Sequence, residues 1–273
     1  MPKFLSVIFG LILAVIPFTG SDVLQKNDDI KFYSPQQGIF IVEIDTSKNK
    51  RKFDFYISEE LETVEDIAEK NNAVVAINAG FFDPKNKKTV SFVIKSGEII
   101  ADPRLNESLT DNIKLEKYLP KILNRAEFRI LEHNGAKKYF ITHHNNKLPQ
   151  NYDLLSSLQA GPMLLPEFTP EKEAFIVKQD GKIIKSSAGI RGKYPRSAIA
   201  IKNDHVLLIA VDKTSPLTLK ELSLLLKKMH VDSALALDGG SSTSLYVNIN
   251  KKFNLISTPD NIAREVKSVI LVK

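Results

Sequence analysis

The chain has 273 residues, 43% of them hydrophobic and 26% charged, with 38 Lys and Arg against 32 Asp and Glu for a formal net charge of +6. That is enough apolar sequence for a globular chain with a full core, arranged as one large domain or two small ones. The absence of cysteine excludes disulfides, a lipobox, thiolate metal sites and cysteine nucleophiles, and lysines scattered without a long basic block argue against nucleic-acid binding.

In chain order, Lys3 and the 13-residue apolar run Phe4–Ile16, followed by Pro17, Thr19, Gly20 and Ser21, read as an export signal over residues 1–21. The run is shorter than the roughly 20 residues a membrane-spanning helix needs. An uncleaved N-terminal anchor is the alternative. No other stretch approaches membrane length, so residues 22–273 are expected to be an exported domain without a membrane span. Ile39–Ile44 and Phe53–Ile57 alternate as half-buried strands. Thr63–Asn71 reads as a helix with Thr63 as N-cap. Ala73–Ile77 is a continuous apolar run, hence a strand buried on both faces. Thr89–Ile94 and Glu98–Ile100, joined by Ser96-Gly97, form an expected hairpin.

Asn106–Asn112 reads as loop, followed by a short helix ending before Pro120, with strands at Phe128–Leu131 and Tyr139–Thr142. The topology of 102–158 is not legible. Ser197–Ile201 and His205–Val211 flank a two-residue turn at Asn203-Asp204. Thr218 to Glu221 is a capping box, opening a helix whose Leu219, Leu222, Leu225, Leu226 and Met229 share one face. Strands follow at Ser233–Leu237, Leu245–Val247 and Val266–Val272. Together these predict an α+β single domain with a mixed β-sheet core and few helices.

Two segments share one layout. In each, a helix leads into an apolar strand that stops at a polar residue and then glycine: Asn78-Ala79-Gly80-Phe81-Phe82-Asp83, and Asp238-Gly239-Gly240-Ser241-Ser242-Thr243. Strand ends of this kind place ligands, and glycines let backbone N–H groups approach an anion. Taken singly, each reads more readily as a tight turn at a strand end.

These two segments, together with Gln159-Ala160-Gly161-Pro162-Met163, Pro195-Arg196-Ser197-Ala198 and Arg264 before the terminal strand, resemble the phosphodiester glycosidase family. That family includes the N-acetylglucosamine-1-phosphodiester α-N-acetylglucosaminidases. The motifs occur in family order over residues 70–273, and Asp-Gly-Gly-Ser-Ser is the most specific. The first motif departs from the family's Asn-Gly-Gly in having Ala79. The resemblance implies an exported hydrolase that cleaves the glycosidic bond of sugar-1-phosphodiesters of N-acetylglucosamine type and releases free sugar. The alternative is a non-catalytic protein that binds envelope glycans or wall polymers.

A glycosyl phosphodiester carries a good leaving group, so a strong general acid is less needed than in other glycosidases. Catalytic roles are expected for Asp238 first, Asp83 second, and Arg196, whose guanidinium can grip phosphate oxygens. Substrate contacts are expected from Asn78, Gly80, Phe81, Phe82, Gly161, Gly239, Gly240, Ser241, Ser242 and Arg264, the loop amides and hydroxyls completing an anion cradle. Turn capping by Asp238, a structural ion pair for Arg196 and core packing for the phenylalanines are the competing roles. Asp212 is a third carboxylate, and Asp260 could pair with Arg264 at i, i+4. No cofactor is required, although Asp83, Asp212 and Asp238 leave a divalent cation such as calcium open. His143-His144 reads as a solvated loop rather than a metal site. The partner is a glycan or glycosyl-phosphate substrate, with no nucleic acid; the oligomeric state is not legible.

Overall fold

The structure is a computed structural model describing residues 22–187 and 189–273; the export signal assigned to residues 1–21 lies outside the described residues. Every strand pairing among them is antiparallel. The first sheet has seven strands, ordered Asp22–Lys26, Ile30–Gln36, Ile39–Asp45, His205–Val211, Arg196–Lys202, Ser233–Ala236 and Met163–Leu165. A second, five-stranded, runs Glu98–Ala101, Val93–Lys95, Asp153–Gln159, Ala126–His133 and Ala136–His143. The third runs Lys252–Ile256, Ser244–Asn248, Val75–Asn78, Val266–Val272 and Phe53–Glu62. A separate hairpin, Ile176–Gln179 with Lys182–Ser186, stands apart from all three.

The three sheets share one core, to which the first contributes Phe32, Val42 and Ile199, the second Phe128 and Leu158, and the third Phe55, Ile77 and Ile270. The outer face of the first sheet is covered by the helix Leu219–Lys228, whose Leu219, Leu222 and Leu226 pack on Ala198, Ala200 and Ile209. The helix Val64–Lys70 does the same for the third sheet, setting Val64, Ile67 and Ala68 against Ala76, Val269 and Leu271. This explains the continuous apolar runs. Strands buried on both faces usually indicate parallel sheets; here antiparallel strands are buried twice because a helix caps the far side.

Local signals hold where they are strongest. Thr63 accepts from Asp66 N, and Thr218 and Glu221 form the full capping box. The Asn203-Asp204 turn joins its two strands in register, with Asn203 at positive φ. The middle region departs from expectation. Asn106 caps a helical turn, Glu107–Thr110, where loop was expected. A short 3-10 helix, Glu116–Tyr118, ends before Pro120 as expected, but a further helix, Leu119–Leu123, follows directly and takes Pro120 into its first turn, where proline forfeits no intrahelical hydrogen bond. No helix among the described residues is long and apolar enough to cross a membrane.

Candidate active site

The strands Val75–Asn78 and Ser233–Ala236 belong to different sheets, yet their ends meet. Asp238 N donates to Ala79 O at 2.8 Å, and the Asn78 side-chain amide donates to Asp238 O at 2.6 Å. Asn78 Oδ1 in turn accepts from Ser197 Oγ at 2.6 Å and from Ser244 N at 3.1 Å. Asn78 is therefore a buried strut between sheets, with its polar atoms engaged by protein. Gly80 is also structural: its N–H donates to Ser268 Oγ at 2.8 Å, and an added Cβ would crowd Ser91 and Gln159 O.

Asp238 lies on the wall of a cavity of about 530 Å³. Gly239 N donates to its Oδ1 at 3.0 Å, and the nearby Ser242 hydroxyl favours the ionised carboxylate. Burial pushes the Asp238 carboxyl up to about 6, against the opposing pull of the Ser242 hydroxyl, the positive charge of Arg264 and the Gly239 amide. Arg264 Nη1 donates to Ser241 Oγ, and its guanidinium lies 5.7 Å from the Phe82 ring centroid.

Phe81, Phe82, Gly161, Gly239, Gly240 and Ser241 also line this cavity. The expected anion cradle of loop amides is largely closed, because Gly239 N serves Asp238, Gly240 N donates to Pro195 O at 2.9 Å and Ser242 N donates to Gly239 O at 3.3 Å. Only Ser241 N in that loop lacks an acceptor among the described residues. The cationic groups on the cavity wall are side chains.

Arg196 is one of them. It sits on the same wall as Asp238, where Nε donates to Leu217 O at 2.8 Å and Nη2 to Gly189 O at 2.6 Å and Gly192 O at 2.5 Å. Burial lowers its pKa to about 10, with the neighbouring Tyr194 pulling the other way; it stays charged at neutral pH. The competing role, a structural ion pair, does not occur: the arginines that pair with carboxylates among the described residues are Arg51, Arg104 and Arg129.

Arg125 was not foreseen. It lines the cavity beside Phe81 and Phe175, its guanidinium 3.9 Å from the Phe175 centroid and 5.8 Å from that of Phe81. Burial again lowers its pKa to about 10, while the negative charge of Glu173 favours the cation. No motif surrounds Arg125 in the sequence. Glu173 is fully buried, accepting from Ala126 N at 3.0 Å, Met163 N at 2.8 Å and the Thr169 hydroxyl. It also explains Gly161, where an added Cβ would lie 2.4 Å from Glu173 Oε2 at a φ of +115°.

Other expected residues fall elsewhere. Asp83 lies outside the cavity lining, its carboxylate capping a turn through Lys85 N at 2.8 Å. Asp212 caps its own loop through Thr214 N and Oγ1 at 2.7 and 2.6 Å. Asp260 accepts from Ile262 N at 3.2 Å rather than pairing with Arg264. The three aspartates weighed for calcium are thus not assembled, and no group of three or more His, Cys, Asp or Glu able to hold a metal ion occurs among the described residues. The two histidines are not in a solvated loop. His143 closes a strand with Nε2 3.6 Å from Glu173 Oε1. His144 stacks on Phe92 at 4.4 Å, with Nδ1 2.7 Å from the buried Glu127.

The phosphodiester glycosidase family model matches residues 71–273, which contain every residue of this cavity. The chain belongs to that family. No curated protein matches this phosphodiester glycosidase family member, but solved structures share its fold. It is similar to the catalytic domain of zebrafish N-acetylglucosamine-1-phosphodiester alpha-N-acetylglucosaminidase auto-inhibited by its pro-peptide, at 14% identity and TM-score 0.62, over 95% of this chain and 84% of that one. A hypothetical protein from Synechocystis aligns at 17% identity and TM-score 0.59, over 92% of this chain but only 61% of the longer partner. A Burkholderia pseudomallei K96243 protein whose name calls it exported aligns at 13% identity and TM-score 0.55, over 89% and 74% of the two chains. At these identities the likeness concerns the fold alone.

Proposed function

We propose that this protein is an exported hydrolase that cleaves the glycosidic bond of sugar-1-phosphodiesters of N-acetylglucosamine type, releasing free sugar. The observation that carries the reading is Arg196, a buried guanidinium without a carboxylate partner, lining the same cavity as the Asp238 carboxyl. A cation with open donors suits the diester phosphate, on which negative charge grows as the bond to the anomeric carbon breaks. Asp238 faces the complementary problem, the positive charge that develops on the sugar ring. As a carboxylate it stabilises that charge or attacks the anomeric carbon. The phosphate departs with little need of a proton. Phe81 and Phe82 supply apolar walls for the ring, and the Gly239 amide holds the carboxylate in place.

The test is product analysis on the methyl diester of N-acetylglucosamine 1-phosphate. Free N-acetylglucosamine together with methyl phosphate supports the reading. Release of sugar phosphate instead would place cleavage on the phosphorus side of the bond. Tight calorimetric binding with no product after prolonged incubation would favour a non-catalytic glycan-binding protein.

A further inference from the structure

The cavity is lined by two guanidiniums, Arg125 and Arg196, with terminal donors left open. Arg264 has the Asp238 carboxyl near it and Arg125 the buried Glu173, and each carboxylate acts on its arginine through charge without a direct bond. Arg196 and Arg125 belong to no ion pair among the described residues, and their open donors are of the same kind. An arginine offers five N–H groups. Arg196 uses Nε and Nη2 on backbone carbonyls, leaving Nη1 without an acceptor among the described residues. Arg125 uses only Nε, on Glu173 O at 3.3 Å, and both its terminal nitrogens are without one. The Glu173 carboxylate does not take them up, since its oxygens accept from Ala126 N, Met163 N and the Thr169 hydroxyl. Its charge keeps Arg125 cationic without satisfying its donors.

The two guanidiniums also stand on different parts of the wall. Arg196 opens a strand of the seven-stranded sheet, next to the Gly239 turn and so beside Asp238. Arg125 immediately precedes the strand Ala126–His133 of the second sheet and is wedged between Phe81 and Phe175. A single phosphate carries one negative charge and sits beside one of them. The open nitrogens of both face the cavity and are not among its buried unpartnered atoms, so an anion entering it can take the place of water on each.

We infer that the cavity is built for a ligand with two separated anionic groups, the reacting phosphate at Arg196 and a second anion at Arg125. This rests on the reading of the cavity as a glycosyl-phosphate site. The second anion has two chemical sources: a further phosphate on the leaving side, as in a diphosphate diester, or a carboxylate on the sugar.

Binding is measured by calorimetry in the D238N background, so that turnover plays no part and a failure of the hydrolase reading stays distinguishable. Three ligands are compared: the methyl diester of N-acetylglucosamine 1-phosphate, UDP-N-acetylglucosamine, and the methyl diester of glucuronic acid 1-phosphate. A charge-assisted contact predicts at least about tenfold tighter binding of one doubly charged ligand over the singly charged one. R125Q should bring that ratio close to one and R125K should keep most of it. Which ligand gains identifies whether the second anion lies on the leaving side or on the sugar. Equal affinities for all three, or a gain that survives R125Q, would overturn the inference. Should R125Q fail to fold, the ratio is followed from about 50 to about 500 mM NaCl, where it must shrink; a salt-insensitive ratio has the same overturning force.

Discussion

Replacing Asp238 with asparagine separates the cost of the site from its use. Burial raises the Asp238 carboxyl from 3.8 to about 6, so the folded protein holds this proton more tightly than the unfolded chain does. The sign follows from linkage: the group opposes folding when ionised, and the opposition grows as pH rises from about 4 to about 6. A shift of ~2 units at 1.36 kcal/mol each gives about 3 kcal/mol at pH 7, falling to about 1 kcal/mol at pH 4.5. Solvent at the cavity mouth makes the larger figure a ceiling. Asparagine keeps an oxygen for Gly239 N and Ser242 but has no charge to desolvate. D238N should therefore be more stable than the parent at pH 7, by up to roughly 6–12 °C in melting temperature, while releasing no sugar. Urea unfolding of both proteins at pH 7 and pH 4.5 measures the gap. A variant that is less stable at pH 7, or whose advantage does not narrow at pH 4.5, refutes the reasoning that Asp238 is a desolvated acid held for function.

The same titration predicts an acid limb in the rate profile near pH 6, below which sugar release falls as Asp238 takes up a proton; a rate unchanged from pH 7 to pH 4.5 argues against an ionised Asp238. R196K keeps a charge but loses the planar fork that ties Leu217 O, Gly189 O and Gly192 O while presenting Nη1, and kcat/KM should fall by about a hundredfold or more, measured on the methyl diester. N78A strands Asp238 O, the Ser197 hydroxyl and Ser244 N without their partner; unfolding stability should drop by roughly 3 kcal/mol or more, read as a lower urea midpoint. D83N should leave sugar release within about twofold of the parent, because the Asp83 carboxylate serves only its own turn. A larger loss would return Asp83 to the site.

Asn78 and Asp238 show what kind of information the sequence carries. Both follow apolar strands, both have a glycine within two residues, and both stand in motifs that resemble one family. In the folded chain they part company: Asn78 is an internal strut and Asp238 is the acid on the cavity wall. Their local patterns are alike, and what differs is where their partners come from. The Asn78 side chain is taken up by Ser197, Asp238 and Ser244, all more than a hundred residues away, whereas the Asp238 carboxyl meets Gly239, Ser242 and Arg264, nearby in the chain. Glu127 and Arg129 are similar. Two residues apart on an apolar strand they share a face, a signal of an internal ion pair that the alternation contains, and they are joined at 2.6 Å.

The sequence by itself determined the features that short-range physics governs. Thr63 and Thr218 cap their helices, Asn203-Asp204 turns a hairpin, and the terminal strand Val266–Val272 is marked by its own apolar residues. The ordered motifs also marked the family. Only the tertiary structure decided which polar residues serve the cavity. A strand's hydrogen-bond partners are set by long-range pairing, and the role of a charge by whether distant segments bring it an opposite charge, a carbonyl or nothing. Arg125 has no signature among its neighbours in the chain; it comes to line the cavity because Phe175, Phe81 and Glu173 fold around it and leave its terminal donors open.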